Sequence, residues 1–208
     1  AAYYALYGDR IFEDYEEVFL RRDVQRQLVR GLLNPLKWFS ASGRTEMAVE
    51  LYEKEVFRGA TFDDMTRADA PLTLINASDL GYGVRFSFVQ EYFNLLCSDI
   101  ASFPVARAVT ASSAVPVLFN PVVIEDYQDC KNATPDWLTA AEQRQQGNPQ
   151  MTEVLNGLQR YFEEGDRKYS HFVDGGITDN LPRILPDGLA AEINLDSWAV
   201  PPLFHFLQ

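Results

Sequence analysis

Apolar residues change period several times along the chain. Ile11, Phe12, Tyr15, Val18 and Phe19 recur at helical spacing. Acids (Glu13, Asp14, Glu16, Glu17) come first and bases (Arg21, Arg22, Arg26, Arg30) later, an order that suits the helix dipole. These charge runs therefore read as solvated helix faces rather than binding patches. Gly31 and Asn34-Pro35 close that segment. Residues 1–7 are helical in composition but lack an N-cap, a first-turn acid and a preceding turn. They read as a helix entered part-way along, so the natural chain is expected to continue upstream. A further helix is expected over residues 45–57. Thr61-Phe-Asp-Asp64 resembles a capping box.

The period then shortens. Pro71-Leu-Thr-Leu-Ile-Asn-Ala77 reads as a buried strand, and its near-continuous apolar character fits a sheet covered on both faces. Residues 84–89 alternate as Val-Arg-Phe-Ser-Phe-Val and read as a strand nearer an edge. Residues 106–115 are rich in small side chains and predict a short, closely packed helix that ends before Pro116. Residues 121–124 predict a short strand. Thr134-Pro135 marks a helix start, with threonine at the cap and proline at the first position. After a polar loop at residues 143–149, Met151, Val154, Leu155, Leu158, Tyr161 and Phe162 trace a clear amphipathic helix. Residues 189–195 suggest one more strand, and residues 198–208 have no period. The order of elements predicts an α/β protein with a mainly parallel sheet, laid out as a single domain over residues 1–208 with the tail from about 186 unassigned.

One stretch carries chemistry: His171-Phe-Val-Asp-Gly-Gly-Ile-Thr-Asp-Asn-Leu-Pro182. A short apolar run delivers Asp174 to a strand end, and two glycines turn the backbone sharply. Gly175 and Gly176 are expected to take positive φ and to leave room beside the carboxylate. A carboxylate so placed can serve as a base, a metal ligand or a structural acceptor. Asp179 is the one acid nearby, too few for a metal site. A Ser-His-Asp triad is disfavoured, because His171 lies three residues from Asp174 on one strand and faces the other way, and His205 lies in the tail. A serine activated directly by a carboxylate stays open.

Composition narrows the classes. A hydrophobic fraction of 47% is ordinary for a globular chain, and the formal net charge is −12. Such a charge repels phosphate backbones, so nucleic acid is not an expected partner. No apolar run approaches the length of a transmembrane helix. With two cysteines (Cys97, Cys130) and two histidines, no convincing zinc site can be assembled. A disulfide and two buried free thiols are both open.

Asp174-Gly-Gly-Ile-Thr-Asp-Asn-Leu-Pro182 resembles the Asp-Gly-Gly/Ala block of the patatin-like phospholipases. Three further stretches are similar to the bacterial branch of that family, in the same order. They are Pro71-Leu-Thr-Leu-Ile-Asn-Ala-Ser-Asp79, then Phe86-Ser-Phe-Val-Gln-Glu-Tyr-Phe93 with Cys97-Ser-Asp99, then Ala106-Arg-Ala-Val-Thr-Ala-Ser-Ser-Ala-Val-Pro116. The resemblance covers roughly residues 1–185. It implies a three-layer α/β/α fold around a mainly parallel sheet, and a Ser-Asp dyad that hydrolyses acyl lipids without a cofactor or calcium. Asp174 matches the family's catalytic aspartate. The family's serine sits in Gly-x-Ser-x-Gly at a strand-to-helix turn, and no serine here has that setting. Ser42 is flanked by Ser40 and Arg44 in place of the glycines, and Ser78, Ser87, Ser98, Ser112 and Ser113 have no such elbow. The nucleophile is therefore expected just upstream of Ala1, with the oxyanion loop beyond it, each donor of which contributes about 3 kcal/mol. Ser112 and Ser113 border the pocket on this reading, though helix packing explains them as well. Asp179 and Asn180 fix the turn after Asp174. A phospholipid or other acyl lipid is the expected substrate, with peripheral membrane contact. A non-catalytic lipid-binding module and a thioesterase or other esterase are the alternatives.

Overall fold

A computed structural model describes residues 1–21, 43–66, 70–116, 118–127, 130, 134–144, 149–163 and 167–178. The chain starts with helix α1 (Ala2–Tyr7), and Gly8 ends it at φ 60°. Helix α2 (Arg10–Tyr15) runs on into a π-helical turn (Glu16–Arg21). Its predicted apolar face is only partly used: Val18 is buried, whereas Phe12 is 77% exposed. Helix α3 (Gly43–Tyr52) likewise continues into a π turn (Glu53–Phe57), matching the expected element. At Thr61 only half of the expected capping box forms. Asp64 Oδ2 accepts from the Thr61 backbone N–H and hydroxyl at 2.8 and 3.2 Å, and a single 3-10 turn (Asp63–Met65) follows.

Four strands make the sheet: β1 (Asn76–Asp79), β2 (Val84–Ser87), β3 (Val122–Glu125) and β4 (Tyr169–Asp174). Their order is β2-β1-β4-β3, and every pair is antiparallel. The expectation of a mainly parallel sheet is thus corrected for the described residues. Only Leu80 to Gly83 separate β1 from β2, with Gly83 at φ 69°. A connection that short can only reverse the chain, whereas a parallel pair needs a long crossover. The sheet is covered on both faces here, as the apolar run before β1 suggested; only the strand direction differs. Ala77, Phe86 and Phe172 are buried on one face of the sheet, and Ser78 and Val173 on the other. An antiparallel sheet covered on both sides leaves the same sequence trace as a parallel one. Strand β1 also starts later than the apolar run predicts, at Asn76.

On the first face Phe86 is the hub. Its ring lies 4.6 Å from Phe172, 5.3 Å from Tyr92, 6.0 Å from Phe93 and 6.3 Å from Tyr161. Pairs of this kind add about 0.5–1.5 kcal/mol each beyond the area they bury. Tyr92 and Phe93 come from helix α4 (Gln90–Leu95), which the alternating pattern before it concealed. Helix α5 (Val105–Ser112) packs on β1 and β4. Its small side chains, with Ala108 and Ala111 fully buried, permit the close approach predicted for them. Helix α6 (Asp136–Arg144) begins just after Thr134-Pro135, and α7 (Pro149–Glu163) buries Leu155, Leu158 and Tyr161 as its period predicts. Gly157 is the close-contact point of α7, because a Cβ there would collide with Val84 Cγ1.

Cys97 and Cys130 form a disulfide with Cα atoms 5.5 Å apart, which settles the open choice in favour of a bridge. Closing a loop of 33 residues removes about 3–4 kcal/mol of unfolded-state entropy on the chain-entropy account. Asp179, Asn180, Ser40, Ser42, His205, the strand suggested at 189–195 and the tail lie outside the described residues.

Candidate active site

Strand β4 ends at Asp174, which pairs with Ala77 of β1. The residues around it hold the turn in one shape. The Asp174 backbone N–H donates to Ala114 O at 3.0 Å, just past the end of α5. The carboxylate Oδ1 accepts from the Gly176 N–H at 2.7 Å. Asp174 therefore caps the single 3-10 turn (Gly175–Ile177) that follows. Among the described residues Oδ2 has no hydrogen-bond partner, and the side chain is half-buried. One oxygen is fixed, and the other has a lone pair left to accept a proton among the described residues.

The two glycines serve the turn by their size. Neither takes positive φ, contrary to the expectation. A Cβ on Gly175 would stand 2.8 Å from the Asn76 carbonyl oxygen of β1, and one on Gly176 would stand 3.0 Å from Asp174 Oδ1. A side chain at either position would push the β1 backbone or the carboxylate aside.

Ser78 is a residue that the sequence did not single out for this role. Its hydroxyl donates to Asp174 O at 2.9 Å, and it lies 2.8 Å from Thr178 Oγ1. It also accepts from the Thr178 N–H at 3.1 Å. One buried hydroxyl thus staples both ends of the turn to the centre of the sheet. The signal available in sequence was a polar residue within a buried strand, which is uncommon unless it is satisfied. Ser78 bonds the carbonyl and not the carboxylate of Asp174.

Ser112 and Ser113 end α5, two residues and one residue before Ala114, whose carbonyl holds the Asp174 N–H. Ser113 is exposed, and its hydroxyl donates to Val109 O at 2.9 Å as part of the helix end. Ser112 is half-buried. His171 is exposed and pairs with Val123, three residues from Asp174 on the opposite face. Among the described residues no cluster of three or more His, Cys, Asp or Glu could hold a metal. No helix among them is long and apolar enough to cross a membrane.

Residues 1–185 match the patatin-like phospholipase family, whose members are lipid acyl hydrolases. The chain belongs to that family. Curated relatives match only short stretches. A chloroplastic phosphoribosylformylglycinamidine cyclo-ligase of Arabidopsis thaliana is 42% identical over 60 residues, 29% of this chain and 15% of that protein. The cyclo-ligase of Methylobacillus flagellatus is 56% identical over 39 residues, 19% of this chain and 11% of its own length. A bifunctional purine biosynthetic protein of Dictyostelium discoideum is 44% identical over 54 residues, 26% and 7%. The chain spans less than a sixth of each of these relatives, and their chemistry does not pass to it. No solved structure matches the chain.

Proposed function

We propose that Asp174 is the general base of a Ser-Asp dyad that hydrolyses a carboxylic ester of a phospholipid or related acyl lipid. The observation that carries this is the divided carboxylate at the end of a strand inside a patatin-like domain: Oδ1 is held by the Gly176 N–H, and Oδ2 has no partner among the described residues. The serine it serves is expected N-terminal to α1. As the serine oxygen bonds to the ester carbonyl carbon, its proton passes to Asp174 Oδ2. The tetrahedral intermediate collapses with cleavage of the carbon–oxygen bond to the leaving alcohol, which takes that proton. Water then attacks the acyl-enzyme, again giving a proton to Asp174, and the free acid leaves as the serine is restored.

The rigid turn gives the base its geometry. Ser78 fixes the carbonyl of Asp174, Ala114 O fixes its N–H, and Gly175 lies against β1. Little reorganisation of the carboxylate is then needed when the substrate arrives. In the full-length protein, Asp174→Asn keeps the size of the side chain and the bond from Gly176. It should abolish hydrolysis of a short-chain phospholipid while melting temperature and circular dichroism stay at wild-type values. Retained turnover would overturn the assignment.

A further inference from the structure

The two sulfurs of the Cys97–Cys130 bridge stand in unlike surroundings. Cys130 is exposed, and Cys97 is half-buried. The Cys130 backbone N–H donates to Cys97 Sγ at 3.2 Å. Cys130 Sγ instead lies 3.4 Å from the Asn94 carbonyl oxygen. A donor beside one sulfur favours negative charge there, and a carbonyl oxygen beside the other opposes it. Thiol–disulfide exchange needs access to the sulfur attacked, and it runs faster when the departing sulfur is the better thiolate. Access and charge agree here. An incoming thiolate reaches Cys130, and Cys97 departs.

Cys97 also stands where the backbone favours glycine. Its φ is 51°. It lies just past the end of α4, where the Cys97 N–H donates to Asn94 O at 3.2 Å and the Ser98 N–H to Phe93 O at 3.0 Å. These are the two bonds of a Schellman turn, whose left-handed position is usually glycine because a Cβ there is penalised. The bridge ties this residue to the segment that follows β3. Other bonds hold the same region without it. The Tyr127 N–H donates to Leu96 O at 3.1 Å. Gln90 donates to Ser98 O and accepts from the Ile100 N–H, both at 3.1 Å. Opening the bridge therefore frees Cys97 to leave the left-handed region while α4 stays packed.

We propose that Cys97–Cys130 is a redox-active disulfide, with Cys130 as the sulfur that takes an incoming thiolate and Cys97 as the leaving sulfur, and that its reduction loosens the turn that ends α4. The reductant is a small thiol of the glutathione class. Its thiolate attacks Cys130 Sγ, a new S–S bond forms between the two, and the bridge breaks with its electron pair on Cys97 Sγ, which takes a proton. A second thiol then displaces Cys130 from the mixed disulfide. The bridge gains two electrons and two protons, and the reductant ends as its own disulfide. The closed form belongs to an oxidising compartment and the open form to a reducing one. None of this depends on the proposed ester hydrolysis.

The test uses the oxidised full-length protein and glutathione in neutral buffer without denaturant. The reaction is quenched with excess N-ethylmaleimide, and the digested protein is read by mass spectrometry. Glutathione should appear on Cys130 and maleimide on Cys97, in about tenfold excess over the reverse pattern. The reverse pattern, equal labelling, or a bridge that opens only in urea would overturn the assignment. Amide hydrogen exchange reads the turn. On reduction the amides of Cys97 and Ser98 should exchange about tenfold faster, the factor that matches the usual left-handed penalty of a non-glycine residue. Those of Ala108 and Ala111 in α5 should keep their rates. The double variant Cys97→Gly with Cys130→Ser lacks the bridge but suits the left-handed position, and it should keep the slow exchange of the oxidised protein. Cys97→Ala with Cys130→Ser should exchange as fast as the reduced form. Unchanged exchange on reduction would overturn the loosening of the turn, and equal rates in the glycine and alanine variants would overturn its cause.

Discussion

Two aspartates sit on the same face of the sheet, two residues apart along the β1–β4 ladder, in opposite circumstances. Asp79 pairs with Phe172, and Asp174 pairs with Ala77. Asp79 is fully buried, and both its oxygens are occupied. Oδ1 accepts from the Gly81 N–H at 2.7 Å and from Arg167 Nη2 at 2.7 Å, and Oδ2 accepts from the Tyr161 hydroxyl. Arg167 in turn lies 4.1 Å over the Tyr82 ring. Burial works against the Arg167 charge, yet the hydrogen bond and charge of Asp79 outweigh it and hold its pKa above the ordinary value. Asp174 is half-buried, with one oxygen fixed and the other without a partner among the described residues. A saturated carboxylate can do no proton chemistry, and its value is to tie α7 and the start of β4 to the β1–β2 hairpin. An unsaturated one at a strand end adds little to stability and is free to react. On the proposed dyad, the number of satisfied oxygens, rather than the residue type, separates the two roles.

The sharpest way to break that contrast is to make one substitution at both places. Asp174→Asn should cost about 10²–10⁴-fold in kcat/KM, the usual contribution of a general base, and less than about 1 kcal/mol in stability. Asp79→Asn should do the reverse. It leaves the Arg167 charge buried opposite an amide, a change that costs about 3–5 kcal/mol, while the fraction that remains folded keeps its turnover per active site. Urea unfolding and active-site titration read the two quantities separately. A loss of activity without a loss of stability in Asp79→Asn would remove the distinction altogether.

Much of this arrangement was legible in the sequence, and the illegible part has a common cause. The strand that carries Asp174, the amphipathic α7, the small-residue α5 and the helix start at Thr134-Pro135 all follow from local period and turn chemistry. Strand direction does not. The run ending at Ala77 is apolar because both faces of β1 are covered, and its sequence cannot say whether its neighbours run with it or against it. The reason for glycine at 157 and at 175 is a neighbour far away in sequence, Val84 in one case and the Asn76 carbonyl in the other. Helix α4 was hidden because it follows β2 without a break in apolar character. Ser78 looked like one more serine with no elbow, and its meaning depends on Thr178, a hundred residues on. The disulfide was open for the same reason: which sulfurs meet is a matter of tertiary geometry.

The next contrast concerns pH. Desolvation raises the Tyr92 hydroxyl to about 12 from an ordinary value of 10.0. Burial first, and then the charge and hydrogen bond of Asp79, push the Tyr161 hydroxyl well above its usual value. A raised folded-state value means that the neutral phenol is favoured by folding. The stabilisation is complete below pH 10, and it is lost as pH climbs towards 12. The Tyr92 shift alone corresponds to about 2–3 kcal/mol. Stability by urea unfolding should therefore fall between pH 10 and 12, and Tyr161→Phe should flatten that fall by removing one ionisable phenol beside Asp79. An unchanged slope in Tyr161→Phe would show that the Asp79 cluster does not govern the alkaline limit.

The smallest effect is at Ser78, where the two kinds of site meet. Its hydroxyl is buried like the Asp79 network but serves the turn of Asp174. Ser78→Ala leaves the Asp174 carbonyl and the Thr178 N–H without their partner, which costs about 1–3 kcal/mol. If the hydroxyl only filled a place in the sheet, the loss would be confined to stability. If it holds the base in register, kcat should drop by about tenfold with KM little changed, because the substrate still binds while the proton acceptor is displaced. Ser78→Thr retains the hydroxyl and should recover part of kcat. Steady-state kinetics on the three forms, measured well below their melting temperatures, decide between the two. A fall in stability with an unchanged kcat would place Ser78 with Asp79 on the structural side.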